Sequence, residues 1–168
     1  LKENNTCEAA EDLVERLNLQ AHPEGGYYRR TYQSSKIVGV SAADYGATAR
    51  HAGTAIHYLL RRGEFSAWHR VRSDEVWNYH LGASITLHLI DPDTQNYHQV
   101  VVGNPLLDAQ ATVQFTVIAG TWFAASQSLP DDFSLLGCCV SPGFEFDDFE
   151  LADSHLVKQF PQHAEVIR

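Results

Sequence analysis

Between Thr54 and Ser141 the chain is a succession of short β-rich runs, and no other feature constrains its fold as much. The runs read TAIHYLL, EFSAWHRV, EVWNYHLG, SITLHLID, YHQVVVG, ATVQFTVIAG, TWFAAS and FSLLGCCVS, broken by glycines, by Asp-Pro-Asp and by Leu-Pro-Asp-Asp. β-Branched and aromatic side chains suit a half-buried pleated surface, while Gly, Pro and Asp suit the turns between strands. Many short strands with regular turn signals predict a mostly β sandwich or barrel. Alternate residues of a strand share a face. Glu75 therefore shares a face with Trp77 and Tyr79, and His80 points the other way. In SITLHLI the apolar face is Ile85, Leu87 and Leu89, which puts His88 on the opposite side. His57 stands opposite Ile56, Tyr58 and Leu60, and the sequence leaves open which face is the inner one.

The flanks read differently. Residues 6–19 predict one helix, with Thr6 as N-cap and Ala9, Ala10, Leu13, Val14 and Leu17 on one face. HPEGGYYRRTYQS begins with a proline and a Gly-Gly turn and continues as a strand. SSKIVGVSAADYGATARHAG is small, polar and glycine-bearing, and predicts a long surface loop. The end predicts an acidic loop and a short helix over 153–168. With 168 residues and no linker or repeat, one domain spanning 1–168 is expected.

Lys and Arg number 12 against 21 Asp and Glu, a formal net charge of −9. Such a field repels phosphate backbones, so no nucleic-acid partner is expected. No apolar run approaches the ~20 residues that span a bilayer, and the polar, acidic first residues resemble no signal peptide. No membrane association is expected, and the predicted location is the cytoplasm. The three cysteines include no Cys-x-x-Cys pair. Cys138 and Cys139 are read as a buried thiol pair on a strand in a reducing compartment.

GEFSAWHRVRSDEVWNYHLG carries Gly63, His69, Glu75 and Gly82 at the spacing of a known signature. It resembles the first motif of the cupin superfamily, G-x5-H-x-H-x3-E-x6-G, with Val71 where the second histidine would stand. VIAGTWFAAS resembles the second motif: Gly120 is kept, Ile118 replaces a proline, and Phe123 stands where a ligand histidine belongs. With HPEGGYYRRTYQS and GCCVSPGFEFDDFELA these blocks run in order over residues 22–152. Together they resemble the small cupin-five family, with Arg30 where an acidic residue is expected. The resemblance implies a cupin jelly-roll sandwich over 22–152 with a helix at each end, a small-molecule ligand and a homodimer. It brings no established reaction.

Metal cupins hold their ion with three histidines and a carboxylate. Only His69 and Glu75 of that set remain, so no cofactor is predicted; were a divalent metal bound, His69, Glu75 and His57 would be its ligands. A second, segmental resemblance is to the sugar-nucleotide 3,5-epimerases, which use this fold without metal. It implies His69 as base, with Glu75 or Asp74 as its partner. Tyr79, Tyr27 or Tyr58 would be the acid, and Arg29 or Arg70 an anion clamp. Tyr27, Trp77 and Phe123 would line the pocket. Plainer roles stand beside these. The aromatics can simply fill the core, and Arg29 can pair with the acidic EFDDFE stretch. His22 and Glu24, which could reach a pocket mouth, can cap a turn or lie at the surface. The sequence thus predicts a small-molecule-binding protein, read first as a metal-independent isomerase or epimerase. The alternatives are a metal-dependent enzyme and a non-catalytic binding module.

Overall fold

The computed structural model describes residues 3–128 and 133–167, and side chains from residue 8 onward. A helix α1 (Glu3–Arg16) comes first, then strands β1 (Gln20–Ala21), β2 (Tyr27–Gln33) and β3 (Ile37–Gly39). A short helix α2 (Ala42–Tyr45) leads to β4 (Ala49–His51), β5 (Thr54–Leu60), β6 (Phe65–Val71) and β7 (Asp74–Gly82). Next come β8 (Ile85–Ile90), β9 (Tyr97–Val102), β10 (Gln114–Val117), β11 (Trp122–Gln127), β12 (Ser134–Ser141) and β13 (Phe149–Leu151). Two short helices, α3 (Ser154–Gln159) and α4 (Ala164–Ile167), close the chain.

The strands form two facing antiparallel sheets, ordered β1-β2-β5-β12-β7-β10 and β13-β6-β11-β8-β9, with β3-β4 as a separate ribbon. This is a jelly-roll sandwich. Its core lies between the sheets, where Tyr58, Leu60 and Trp77 meet Val71, Ile85, Leu87 and Phe123. Each β-rich run of residues 54–141 contains one strand, and the turn residues mark the breaks.

Three expectations outside that region are corrected. The first helix runs through Thr6, which is therefore not its N-cap, and it ends at Arg16 rather than at residue 19. Asn18 takes a left-handed φ of 51°. Leu19 N–H then reaches back to Val14 O and Asn18 N–H to Glu15 O, a closure that stops a helix. Leu19 thereby packs with Leu59 and Leu135, where Leu13, Val14 and Leu17 also settle on the outside of the first sheet. Residues 34–53 are not a plain loop, because β3 and β4 pair there. Arg50 ties this ribbon to the acidic segment, with Nε and Nη2 donating to the two oxygens of Asp148 at 2.7 and 2.8 Å. The acidic segment itself is partly ordered as strand: β13 pairs with β6, and two short helices rather than one come after it. Inside that region one expectation is corrected as well: Cys138 is buried but Cys139 is exposed, as alternation along a strand requires.

Candidate functional site

The site begins with the Gly-Gly turn. Gly25 and Gly26 both have positive φ, 112° and 68°. A Cβ on Gly25 would lie 2.3 Å from Phe65 O, and one on Gly26 would lie 2.7 Å from Leu59 O. Only glycine lets the chain press this closely on its neighbours. The β1–β2 connection is thereby held against the opposite sheet, where Glu24 O accepts the N–H of Ala67 at 2.8 Å. The Glu24 side chain turns inward and is buried. One carboxylate oxygen accepts from Ser66 Oγ at 2.9 Å. The other lies 3.3 Å from Nε2 of His69, itself buried on β6. Nδ1 of His69 lies 2.7 Å from Ala67 O. A carbonyl only accepts, so Nδ1 carries a proton, and Nε2 is the nitrogen that faces Glu24.

His22 is also drawn in. The backbone N–H of Glu24 donates to its Nδ1 at 3.3 Å, so that nitrogen carries a lone pair. Its 3.5 Å approach to the Glu24 carboxylate is therefore a contact of a neutral ring rather than an ion pair. Burial lowers the pKa of His22, the Glu24 carboxylate opposes that shift, and His69 adds to it. The ring packs edge-on to Tyr28, with centroids 4.5 Å apart, and lies near Phe146 and Phe149.

Glu75, on β7 of the first sheet and so facing the sheet that carries His69, lines the same cavity. Burial first, and the Glu24 carboxylate second, push its carboxyl up to about 8. It is therefore mostly protonated, and can donate, at neutral pH. Cys138 and Trp77 stand beside it. The indole N–H of Trp77 is buried and finds no acceptor at hydrogen-bonding geometry. Around these polar groups the wall is apolar, made by Ile56, Val71, Val140 and Phe144. About 40 Å³ is open to the centre of a water-sized sphere, room for a few waters or the end of a small ligand.

The structure brings together His69, Glu75 and Trp77 of the residues singled out in sequence, and buries Phe123 against the His69 ring at 4.1 Å. Tyr58, His22 and Glu24 line the same cavity, and the remaining residues are separated from it. His57 lies on the outer face of the first sheet, its ring 6.0 Å from that of His80, so it does not join His69 and Glu75. Val71 and Phe123 fill two further positions with side chains that ligate nothing. Among the described residues no three His, Cys, Asp or Glu side chains are placed to hold an ion. Tyr79 donates its hydroxyl to Gly82 O and does not line the cavity. Tyr27 lies under the Arg61 guanidinium, 4.6 Å from its ring centre, and packs with the α1 cluster. The cavity tyrosines are Tyr28 and Tyr58, and the Tyr58 hydroxyl donates to Gly25 O. Arg29 donates to Leu17 O, not to the acidic stretch, and Arg70 pairs with Glu150 over the Trp122 ring. Neither reaches the cavity; Arg30 does. Asp74 accepts the Ala119 N–H at a turn.

The comparisons agree with this architecture. The family model described as "Cupin superfamily (DUF985)" matches residues 11–152. The chain belongs to this family. A protein from Shewanella oneidensis of known crystal structure is 39% identical to this cupin, with a TM-score of 0.83 and 94% of each chain covered. A hypothetical protein from Leishmania major is 36% identical, with a TM-score of 0.82, covering 94% of this chain and 96% of its own. A variant of Bacillus subtilis oxalate decarboxylase shares the fold at 13% identity and a TM-score of 0.55, over 88% of this cupin and 36% of that chain. No curated protein matches the sequence. Membership supports binding of a small molecule, and no described helix is long and apolar enough to cross a membrane.

Proposed function

We propose that this cupin isomerises or epimerises a small sugar-like or anionic molecule by proton transfer, without a metal ion. The observation that carries the reading is the Glu24–His69 pair. His69 has one nitrogen fixed on Ala67 O and the other turned to a buried carboxylate. Such a pair accepts a proton as a unit, with Glu24 stabilising the imidazolium that forms. Across the cavity the protonated Glu75 supplies the complementary acid. Glu24, rather than Glu75, is thus the partner of the base. The reading also takes the chain to act as a homodimer in a reducing cytoplasm; sedimentation of the purified protein checks the first point.

The test is a screen of sugar nucleotides and small carboxylates by thermal shift, and then solvent-deuterium exchange of each ligand's C–H groups, read by NMR. Exchange with wild type and its loss in His69→Ala are expected. Stabilisation by a ligand with no exchange would replace the reading by a binding module. Exchange abolished by chelators and restored by one ion would replace it by a metalloenzyme.

A further inference from the structure

A second cleft lies on the outer face of the second sheet, and it backs onto the Glu24–His69 pair. Between β6 and β11, Phe123 pairs with His69 but Ala125 with Ser66, so β6 carries one extra residue at Ala67–Trp68. Residues three apart on a regular strand face opposite sides; across this bulge Phe65 and Trp68 share the outer face. They stand roughly 10 Å apart along the strand, twice the roughly 5 Å at which aromatic rings pack. The floor between them is low, made by Ala67, Ala124 and Ser126, and Val157 of α3 and Val166 of α4 form the far wall. The cleft measures about 520 Å³, within the roughly 300–1,000 Å³ of ligand pockets.

Its lining selects by charge and shape. Among the described residues no lysine or arginine lines it, and the chain's net charge of −9 turns anions away. Its carboxylate, Asp153, already accepts the His155 N–H as the cap of α3, so a cation finds no free counter-charge. His88 is kept neutral, since burial lowers its pKa. Its nitrogens lie 2.8 Å from Tyr97 Oη and 2.9 Å from Ser126 Oγ. The His88 contact uses one of the three hydrogen-bonding positions of the Ser126 hydroxyl, which leaves two for a ligand.

The same short stretch of β6 holds the proton-accepting pair from its other side. Ser66 Oγ donates to Glu24 Oε1 at 2.9 Å, and Ala67 N–H donates to Glu24 O at 2.8 Å. Ala67 O accepts from Nδ1 of His69 at 2.7 Å. Both residues also line the cleft. A wall with open space behind it lacks packing contacts on that side, so filling the space favours the position in which the wall is supported.

We infer that this cleft is an effector site for an uncharged, flat aromatic molecule bearing a hydroxyl, which braces the β6 bulge and so steadies the Glu24–His69 pair. The inference rests on the proton-transfer reading only for its effect on rate.

The probes are 2-naphthol, 2-naphthalenesulfonate (the same rings with a negative charge) and decahydro-2-naphthol (the same hydroxyl without flat rings), titrated by NMR. Wild type is expected to bind 2-naphthol at least about tenfold more tightly than either other probe. The amides of Ala67 and Ala124 should move, and with them the Glu24 N–H, while the Trp77 indole N–H stays. Ala124→Leu fills the floor and should abolish binding. Phe65→Ala should weaken 2-naphthol about tenfold. Phe65 is 62% exposed, so its variant keeps the test open should Ala124→Leu fail to fold. Saturating 2-naphthol should raise the deuterium-exchange rate of a substrate about twofold or more. No binding of 2-naphthol, equal binding of either other probe, unaltered affinity in Phe65→Ala, or an unmoved Glu24 N–H overturns the inference. So does a substrate whose exchange rate ignores 2-naphthol. Binding and shifts as expected, with no molecule exchanging at all, would sink the proton-transfer reading alone.

Discussion

Replacing Glu75 by glutamine keeps its shape and removes its titration, which isolates the effect of burying that carboxyl. In the folded protein it titrates at about 8, against 4.5 ordinarily. Between those values the folded state holds a proton that the unfolded state has released. Stability contributed by this group is therefore fully present below pH 4.5 and is lost as pH rises through 8. The two pKa values give a loss of roughly 1 kcal/mol at pH 5 and roughly 4 kcal/mol at pH 8. Glutamine cannot ionise in either state. The stability difference between Glu75→Gln and wild type should thus grow by roughly 3 kcal/mol from pH 5 to pH 8, a relative shift of roughly 6–12 °C in Tm for a chain this size. Taking the difference cancels His22, whose lowered pKa gives the opposite slope, and every other group the substitution does not touch. Calorimetry in matched buffers at half-unit steps is the assay. A difference that stays flat with pH, or shrinks, would refute the claim that Glu75 is protonated in the fold, and with it the assignment of Glu75 as acid.

Other outcomes are expected. Glu24→Gln should lower the rate of deuterium exchange about as far as His69→Ala does, since either change breaks the unit that accepts the proton. Full activity in Glu24→Gln, measured by the same NMR assay, would return the partner role to Glu75. Gly25→Ala should destabilise the fold by roughly 2–4 kcal/mol in urea unfolding, because its φ and its contact with Phe65 O both exclude a side chain. Arg50→Ala leaves the buried Asp148 carboxylate without its partner. It should cost roughly 3–5 kcal/mol and speed hydrogen exchange in residues 37–51. In a Cys7→Ser background, a thiol reagent should label Cys139 in the native protein and Cys138 only after unfolding, by mass spectrometry.

How much the sequence disclosed depends on how far each signal reaches. From Thr54 to Ser141 the turn residues cut the strands, and period-two alternation assigned faces, so Glu75 and Trp77 turned inward and His80 outward. In YYRRTY that alternation is silent, because both phases hold one tyrosine and one arginine in the first four positions. A slip of one residue flips a strand's faces, and it put Tyr27 and Arg29 where Tyr28 and Arg30 stand. Glu24 was passed over for another reason. Its partner His69 is 45 positions away, and the contact exists only once the β1–β2 turn lies against β6. The left-handed Asn18 that ends α1 has a local cause, and an asparagine just past a helical pattern is a stop signal that could have been used.

The hydrogen bond from Ala67 N–H to Glu24 O makes the site a property of the seam between the sheets. Glu24 arrives on the connection that feeds the first sheet and His69 on a strand of the second, so neither layer owns the proton-accepting pair. The pair therefore reports closure. If the layers part slightly at that edge, the carboxylate leaves the imidazole while both sheets keep their ladders and the core keeps Leu87 and Leu136. Activity in mild denaturant should then fade before tryptophan fluorescence changes, and a small molecule that stitches the seam would restore the one without altering the other.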